Sequence, residues 1–355
     1  MTGTSFEYMA CTLVLDTSSP STPVRLIAHE TPGLRTDSIG NVHVKFLASP
    51  VNRVDLMVLS GQYPVKPHNT HDSYPIPGFD GCGVVTESTS ATISKGDIVI
   101  PRSLGAGTWR SDAVFPESSL LKLPASTPVL AGALLRSGAL VAWLLLEEIK
   151  SLRSGDTIII SAGTSSVAYF LVQLARLKGV AVIVVIRDRA PEAAELVKTT
   201  LSHLGAASVL TESELADGTV LLPSRPVLAL DCVYGHVGQL LADTLAPQGT
   251  FALVGLLSGP GSSISVSTGH LFARQLSFVP FRGSEILKKM GETKSEELIC
   301  HVAGLFGKGD LKIPELTLVS WQEANPHVLN ERLQQALENS KEGEIGTKKT
   351  VWIFS

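Results

Sequence analysis

Two short all-apolar runs, one helix apart, constrain this chain most. Residues 157–160 read Thr-Ile-Ile-Ile and residues 181–186 read Ala-Val-Ile-Val-Val-Ile, with no polar face in either. Strands apolar on both faces belong to a parallel sheet covered by helices on both sides. Between them a Gly/Ser/Thr turn leads into a helical segment, closed by Gly179, that places Val167, Phe170, Leu171, Leu174 and Leu177 on one face. Residues 227–230 and 250–254 are further apolar strands, separated by a helical stretch at 239–245. The expectation is α/β: a doubly wound parallel sheet with helices on both faces.

The flanking segments differ. Residues 42–46 alternate, 83–85 opens a short apolar run, and Gly96-Asp97-Ile98-Val99-Ile100-Pro101 is a turn feeding a strand that Pro101 ends. A loop from Tyr63 to Gly78 carries four prolines and two histidines; loops of that length in a compact domain are more often functional than not. Residues 131–149, 285–307 and 322–339 read as helices, and 350–354 as a last strand. With 355 residues, two domains are expected: a β-rich one from 1–128 and 284–355, and a nucleotide-type one from 129–283.

A net charge of −4 gives no general reason to expect nucleic acid or an anionic membrane as partner. The longest apolar helix candidate, 139–146, stops at Glu147-Glu148, short of a membrane span. Cys11, Cys82, Cys232 and Cys300 form no CxxC pair, which fits free thiols in a reducing compartment. Residues 1–8 hold no Arg or Lys and show neither a secretory nor a transit pattern. A cytoplasmic protein is expected.

The turn Ser161-Ala162-Gly163-Thr164-Ser165-Ser166-Val167-Ala168 half fits a glycine fingerprint. It reads either as a pyrophosphate loop at a helix N-terminus or as an ordinary strand–helix connection. The second strand ends Arg187-Asp188-Arg189. An NAD site wants a carboxylate there for the ribose 2′-OH, whereas arginines pair with the 2′-phosphate of NADP. The other reading is a solvated cluster in which Asp188 pairs one arginine. Tyr63, taken alone, has packing or surface contact as its ordinary role.

Four stretches carry a family resemblance: Gly61-Gln62-Tyr63-Pro64-Val65-Lys66-Pro67, Gly107-Thr108-Trp109-Arg110, Val185-Ile186-Arg187-Asp188-Arg189 and Leu228-Ala229-Leu230-Asp231-Cys232-Val233. From about Val44 onward the chain resembles the 2-enoyl thioester reductases of the mitochondrial fatty-acid-synthesis type, a zinc-free branch of the medium-chain dehydrogenase/reductase superfamily. The resemblance implies a GroES-like catalytic domain with the Rossmann domain, a homodimer, and NADPH-dependent reduction of a trans-2-enoyl thioester on CoA or acyl carrier protein. It implies Tyr63 as the catalytic acid, with Asn52 and Trp109 either shaping the site or purely structural. Gly163, Thr164, Ser165, Ser166, Val167, Arg187, Arg189, Val254, Phe281 and Lys349 are implied at the cofactor. No metal is expected, because the stretch that holds a ligand His in zinc-dependent relatives reads Gly78-Phe79-Asp80-Gly81 here.

Several positions depart from the family pattern. Gly138-Ala139-Leu140-Val141-Ala142 replaces an Asn-Pro-Leu-Thr-Ala run, Val254-Gly255-Leu256 a Tyr-Gly-Gly loop, and Pro280-Phe281-Arg282 a Gly-Phe-Trp. These changes fit a specialised fatty-acid or polyketide pathway. They leave open redox-neutral isomerisation or cyclisation on the same scaffold, and a non-catalytic NADPH-binding protein. Residues 264–267 and 276–281 are expected as strands at the sheet edge across which relatives dimerise.

Overall fold

In the computed structural model, residues 9–16, 23–34, 39–63, 66–218, 220, 222–259, 261–323, 325–342 and 348–354 are described. Residues 1–8, on which the cytoplasmic reading rests, and Pro64 and Val65 of the tyrosine motif lie outside them. The chain divides into two compact units: residues 1–137 with 299–309 and 313–355, and residues 138–298 with 310–312. The boundaries thus lie beyond the expected 128/129 and 283/284. The helix Val129–Ala133 stays with the first unit because Gly132 packs against Cys82, whose Sγ lies 2.7 Å from where a Cβ would stand. The helix Gly283–Met290 stays with the second because Gly283 rests on Phe281 and Leu144.

The first unit is built on a seven-stranded sheet in the order Leu316–Ser320, Lys349–Ile353, Asn41–Pro50, Cys82–Ser88, Ile98–Pro101, Leu120–Lys122, with Asp112–Pro116 also pairing on Asn41–Pro50. Asn41–Pro50 alternates as the sequence reading expects, burying Val42, Val44 and Phe46. The C-terminal strand pairs antiparallel with its far end, Val351 opposite Pro50. That register brings Lys349 beside the turn after Pro50. Trp109, Trp321, Trp352 and Phe354 pack together in this core. The long loop after Tyr63 contains a two-residue-per-strand hairpin, Thr70–His71 with Tyr74–Pro75. It lies against the hairpin Met9–Leu15/Val24–Glu30 through a His29–His71 ring contact at 4.4 Å and Arg25 over the Tyr74 ring at 4.9 Å.

The second unit holds a six-stranded parallel sheet in the order Ser208–Thr211, Ala181–Ile186, Thr157–Ile160, Leu228–Asp231, Thr250–Leu253, Ser277–Pro280. Winding reverses between Thr157–Ile160 and Leu228–Asp231, and a crevice at such a switch point is where doubly wound sheets bind ligands. Helix Ser166–Lys178 buries Phe170, Leu171 and Leu174 as expected, but Leu177 is 57% exposed, because Ala168, Val172 and Ala175 carry the buried face round the other side. The helix expected over 131–149 is broken: a π-helical turn, Leu135–Ala139, separates Val129–Ala133 from Leu140–Glu147. There Gly138 approaches the Phe170 ring to within 2.8 Å of a would-be Cβ. Residues 264–267 form no strand. The Ser265 amide donates to Gln239 Oε1 (2.7 Å) and Ser267 caps His270, so this backbone is engaged by side chains rather than by a sheet neighbour.

Candidate active site

In the first unit the site grows from the end of the central strand. Pro50 ends it, and helix Arg53–Leu59 starts at Asn52. Asp55, three residues into the helix, accepts the Asn52 amide on Oδ2 (2.7 Å) and the Phe79 amide on Oδ1 (2.9 Å). The Asn52 side chain is engaged at both ends: Nδ2 donates to Asp80 Oδ2 (3.2 Å), and Oδ1 accepts from the Lys349 ammonium (2.8 Å). Asp80 Oδ2 also accepts the Ser137 amide (3.2 Å), and its carbonyl accepts the Ser49 and Thr108 hydroxyls at 2.6 and 2.5 Å. Among the described residues its Oδ1 has no partner.

This cluster is buried. Asp55 is 0% and Asp80 2% exposed, while Lys349 is half-buried. Burial pushes the Asp55 carboxyl up to about 7, aided by the Asp80 charge and opposed by the two amides and Lys349. Burial also raises Asp80 and lowers the Lys349 ammonium, whose carboxylate neighbours resist the shift.

Tyr63 arrives from the other end of the same helix. Gly61, in the left-handed region at φ +70°, turns the chain out after Leu59, and the Gln62 amide returns to the Met57 carbonyl (2.8 Å). The Tyr63 ring, half-buried, meets the fully buried Phe79 ring edge-on, centroids 5.8 Å apart at 81°. The other two expected residues sit deeper. Trp109 is 0% exposed, stands edge-on to Trp352 at 5.7 Å and donates its indole N–H to the Pro50 carbonyl (3.3 Å). It has no open face for a ligand, and both polar atoms of the Asn52 side chain are committed. Lys349, implied at the cofactor, has its ammonium on Asn52. Asp55 and Asp80 were not singled out from sequence. The readable signals were an Asn-x-x-Asp helix start and an Asp between Val54 and Leu56 on an apolar face.

In the second unit the turn after Thr157–Ile160 is tight for two reasons. Ala162 takes a left-handed φ of +51°, and Gly163 donates its amide to the Val185 carbonyl (2.9 Å) so closely that a Cβ would lie 2.3 Å from Val184 Cγ1. Ser165 caps the helix by accepting the Ala168 amide on its hydroxyl (3.2 Å). The amides of Ser166 and Val167 belong to the first turn, which a helix cannot satisfy internally, and Thr164 beside them is exposed. At the end of the next strand Asp188 accepts the Ser213 amide and hydroxyl (3.2 and 2.9 Å), so it does not serve as the partner of either arginine. Arg189 donates Nε–H to the Arg187 carbonyl (3.2 Å), and among the described residues its buried Nη1 has no partner. Burial, and then the Arg187 charge, lowers the Arg189 guanidinium. An orphaned cationic donor beside a second cation fits a dianionic 2′-phosphate.

Across the switch point stands the fully buried Asp231. Its carboxylate accepts the Ser161 hydroxyl (2.7 Å) and the Val233 and Tyr234 amides (2.9 and 3.0 Å), and its carbonyl accepts the Val254 amide (2.7 Å). Val254 and Phe281 are half-buried. The Leu140 and Ala142 side chains are buried, so the segment that carries an amide and a hydroxyl in relatives is apolar here. Among the described residues no group of His, Cys, Asp and Glu could hold a metal ion, and no helix is long and apolar enough to cross a membrane.

The raised Asp55 carboxyl predicts a pH dependence. It keeps its proton in the folded state where the unfolded chain, with an ordinary carboxyl near ~3.9, has lost it. Its contribution to stability is therefore full below that value and is lost as pH rises to about 7. Asp55→Asn cannot titrate. In parallel thermal melts the unsubstituted protein should lose Tm relative to Asp55→Asn between about pH 4 and pH 7; a constant separation contradicts the assignment.

Comparison with known proteins bears on the family and the fold. Residues 38–125 match the alcohol dehydrogenase GroES-like domain. The mitochondrial enoyl-[acyl-carrier-protein] reductase of Rattus norvegicus is 32% identical over 333 residues, 92% of this chain and 85% of its own; that of Bos taurus is 34% identical over 290 residues, 80% and 75%. A point mutant of Etr1p, solved in complex with NADP and crotonyl-CoA, is 25% identical with a TM-score of 0.82, covering 98% of this chain and 99% of its own. The mitochondrial 2-enoyl thioester reductase Etr1p/Etr2p heterodimer of Candida tropicalis is 24% identical with a TM-score of 0.83, covering 98% and 100%. The cytoplasmic expectation does not stand beside relatives that are named mitochondrial from rat to Arabidopsis thaliana. By sequence identity along most of its length, by its GroES-like unit and by its doubly wound unit, this chain belongs to the enoyl thioester reductase family of the medium-chain dehydrogenases/reductases.

Proposed function

We propose that this protein reduces the C2–C3 double bond of a trans-2-enoyl thioester with NADPH, and that it works in the mitochondrion, as its relatives are named to do. The observation that carries the cofactor reading is Arg189 with its unpartnered buried Nη1 (among the described residues), beside Arg187, while Asp188 is turned to Ser213. Gly163, Thr164, Ser165, Ser166 and Val167 hold the pyrophosphate at the helix start, Arg187 and Arg189 the 2′-phosphate, and Val254 and Phe281 the nicotinamide end. When bound, the cofactor supplies the hydride that adds to the β-carbon. Hydride addition leaves an enolate, so the protein must stabilise that charge and return a proton to the α-carbon. A tyrosine hydroxyl is protonated at neutral pH and can do both. Tyr63 is the acid. Asn52 and Trp109 shape the site behind it, and the Lys349 ammonium anchors Asn52 through its side-chain oxygen. The acyl group is carried on CoA or on acyl carrier protein, and the apolar replacements at 138–142 suit a specialised fatty-acid or polyketide substrate.

The protein also forms a homodimer. Strand Ser277–Pro280 pairs with Thr250–Leu253 on one side and is the sheet's edge on the other. The neighbouring turn exposes Leu271 and Phe272, the latter 86% exposed. An open edge beside apolar side chains is the surface a second copy covers. Light scattering should give a dimer mass at micromolar protein; a concentration-independent monomer mass refutes it.

Two substitution experiments test the chemistry. NADPH should bind at least about tenfold more tightly than NADH, which ~1.4 kcal/mol from the arginine pair supplies, and replacing Arg187 and Arg189 together with Ala should erase the preference. Equal affinities in the unsubstituted protein remove this assignment. With crotonyl-CoA, Tyr63→Phe should lower kcat by roughly tenfold to a thousandfold and leave NADPH affinity within about twofold. Product carrying deuterium from labelled NADPH is expected; conversion without NADPH oxidation would instead favour redox-neutral chemistry on this scaffold.

A further inference from the structure

We infer that Phe79, held by the Asp55 carboxylate, is the positioning residue that fixes the ring of Tyr63; the inference rests on Tyr63 being the proton donor. Among the described residues the Tyr63 hydroxyl has no hydrogen-bond partner, so its place is set by packing of the ring. Among the same residues, that ring's aromatic contact is the Phe79 ring, T-shaped at 5.8 Å and 81°. Phe79 is itself firmly held. Its side chain is 1% exposed, and its amide is bound by Asp55 Oδ1 at 2.9 Å. The next residue, Asp80, is pinned through its carbonyl by Ser49 and Thr108 and through its carboxylate by Asn52 and the Ser137 amide. A close-packed, hydrogen-bonded dipeptide is a stiff surface.

The geometry also closes the device on itself. Helix Arg53–Leu59 delivers Tyr63 from its C-terminal end through Gly61, and the same helix places Asp55 in its first turn. The acid thus follows the end of the same short helix whose first turn holds its support. The α-proton must arrive at one carbon from one hydroxyl, and misplacement by about 1 Å can cost on the order of a hundredfold in rate.

The test uses the full-length protein with NADPH and crotonyl-CoA. Phe79→Leu replaces the ring edge with an aliphatic side chain and should lower kcat by roughly tenfold to a hundredfold, with KM and NADPH Kd within about twofold. Phe79→Tyr keeps the edge and should retain kcat within about threefold. In a Tyr63→Phe background, Phe79→Leu should change kcat by less than about twofold, since the group it positions is gone. If Phe79→Leu does not fold by circular dichroism, Phe79→Met carries the same expectations. A Leu or Met variant at the unsubstituted kcat overturns the inference, as does an equal loss in both backgrounds, which would make Phe79 merely structural. Tyr63→Phe at full rate overturns the acid assignment and this inference together; a slow Tyr63→Phe with a fast Phe79→Leu overturns the positioning role alone.

Discussion

The site in the first unit depends on placing two carboxylates and one ammonium out of water within a single hydrogen-bonded cluster. A buried charge costs several kcal/mol unless it is paired and hydrogen-bonded. Here Asp55 and Asp80 are satisfied mainly by backbone amides and by the amide of Asn52, and Lys349 reaches them through Asn52. The arrangement ties together four pieces of chain that meet only in the folded state: the turn after Pro50 with the helix start it leads into, the Phe79-Asp80 dipeptide, Ser137 and the C-terminal strand. Removing one partner leaves a buried charge without compensation, so the cluster specifies position more than it adds stability. Asp80 Oδ1, without a partner among the described residues, shows the balance is not complete.

The second unit uses the same device once more. Asp231 ends its strand with a carboxylate satisfied by Ser161 from the neighbouring strand and by the amides of Val233 and Tyr234. Tyr234 sits at φ +71°, a conformation a bulky residue adopts only when its surroundings impose it. Gly238 admits Asp231 Oδ2 to within 2.4 Å of where a Cβ would stand. One carboxylate thus ties together the two loops that bracket the switch point.

How much of this could be read from the residues follows from the range of the forces. The parallel sheet was legible because Ile158, Ile159 and Ile160 and the run from Ala181 to Ile186 must be covered on both faces. Strand Ser208–Thr211 and helix Pro191–Leu204 were not singled out: an edge strand that reads Ser-Val-Leu-Thr is short and shows little periodicity. The break at Leu135–Ala139 comes from Phe170 meeting Gly138, a tertiary contact that no local pattern announces. Residues 264–267 look like a strand, yet Gln239 claims their backbone. The arginines are proposed for the cofactor from their place at the end of the second strand, and Tyr63 for the chemistry only through motif resemblance. Asp55 and Asp80, and their link to Lys349, were missed because Lys349 lies 297 residues from Asn52 in the chain, and only the strand register Val351–Pro50 brings them together.

The two ends of the proposed cofactor site differ in physical character, and that difference bears on their work. Arg187 is exposed and Arg189 only half-buried, so their attraction for a phosphate is partly screened at physiological salt, where the Debye length is about 8 Å. Exposed charges of this kind set which cofactor is held and how tightly, and they contribute little to a barrier. At the other end the protein offers Val254, Phe281 and a buried apolar segment at 138–142, with no charged side chain among them. Low polarity makes an unpaired charge costly at that end, so any hydrogen bond supplied there counts for more than it would in water. With the amide and hydroxyl of the usual family segment replaced by apolar side chains, this end selects by shape and packing, and the arginine end by charge.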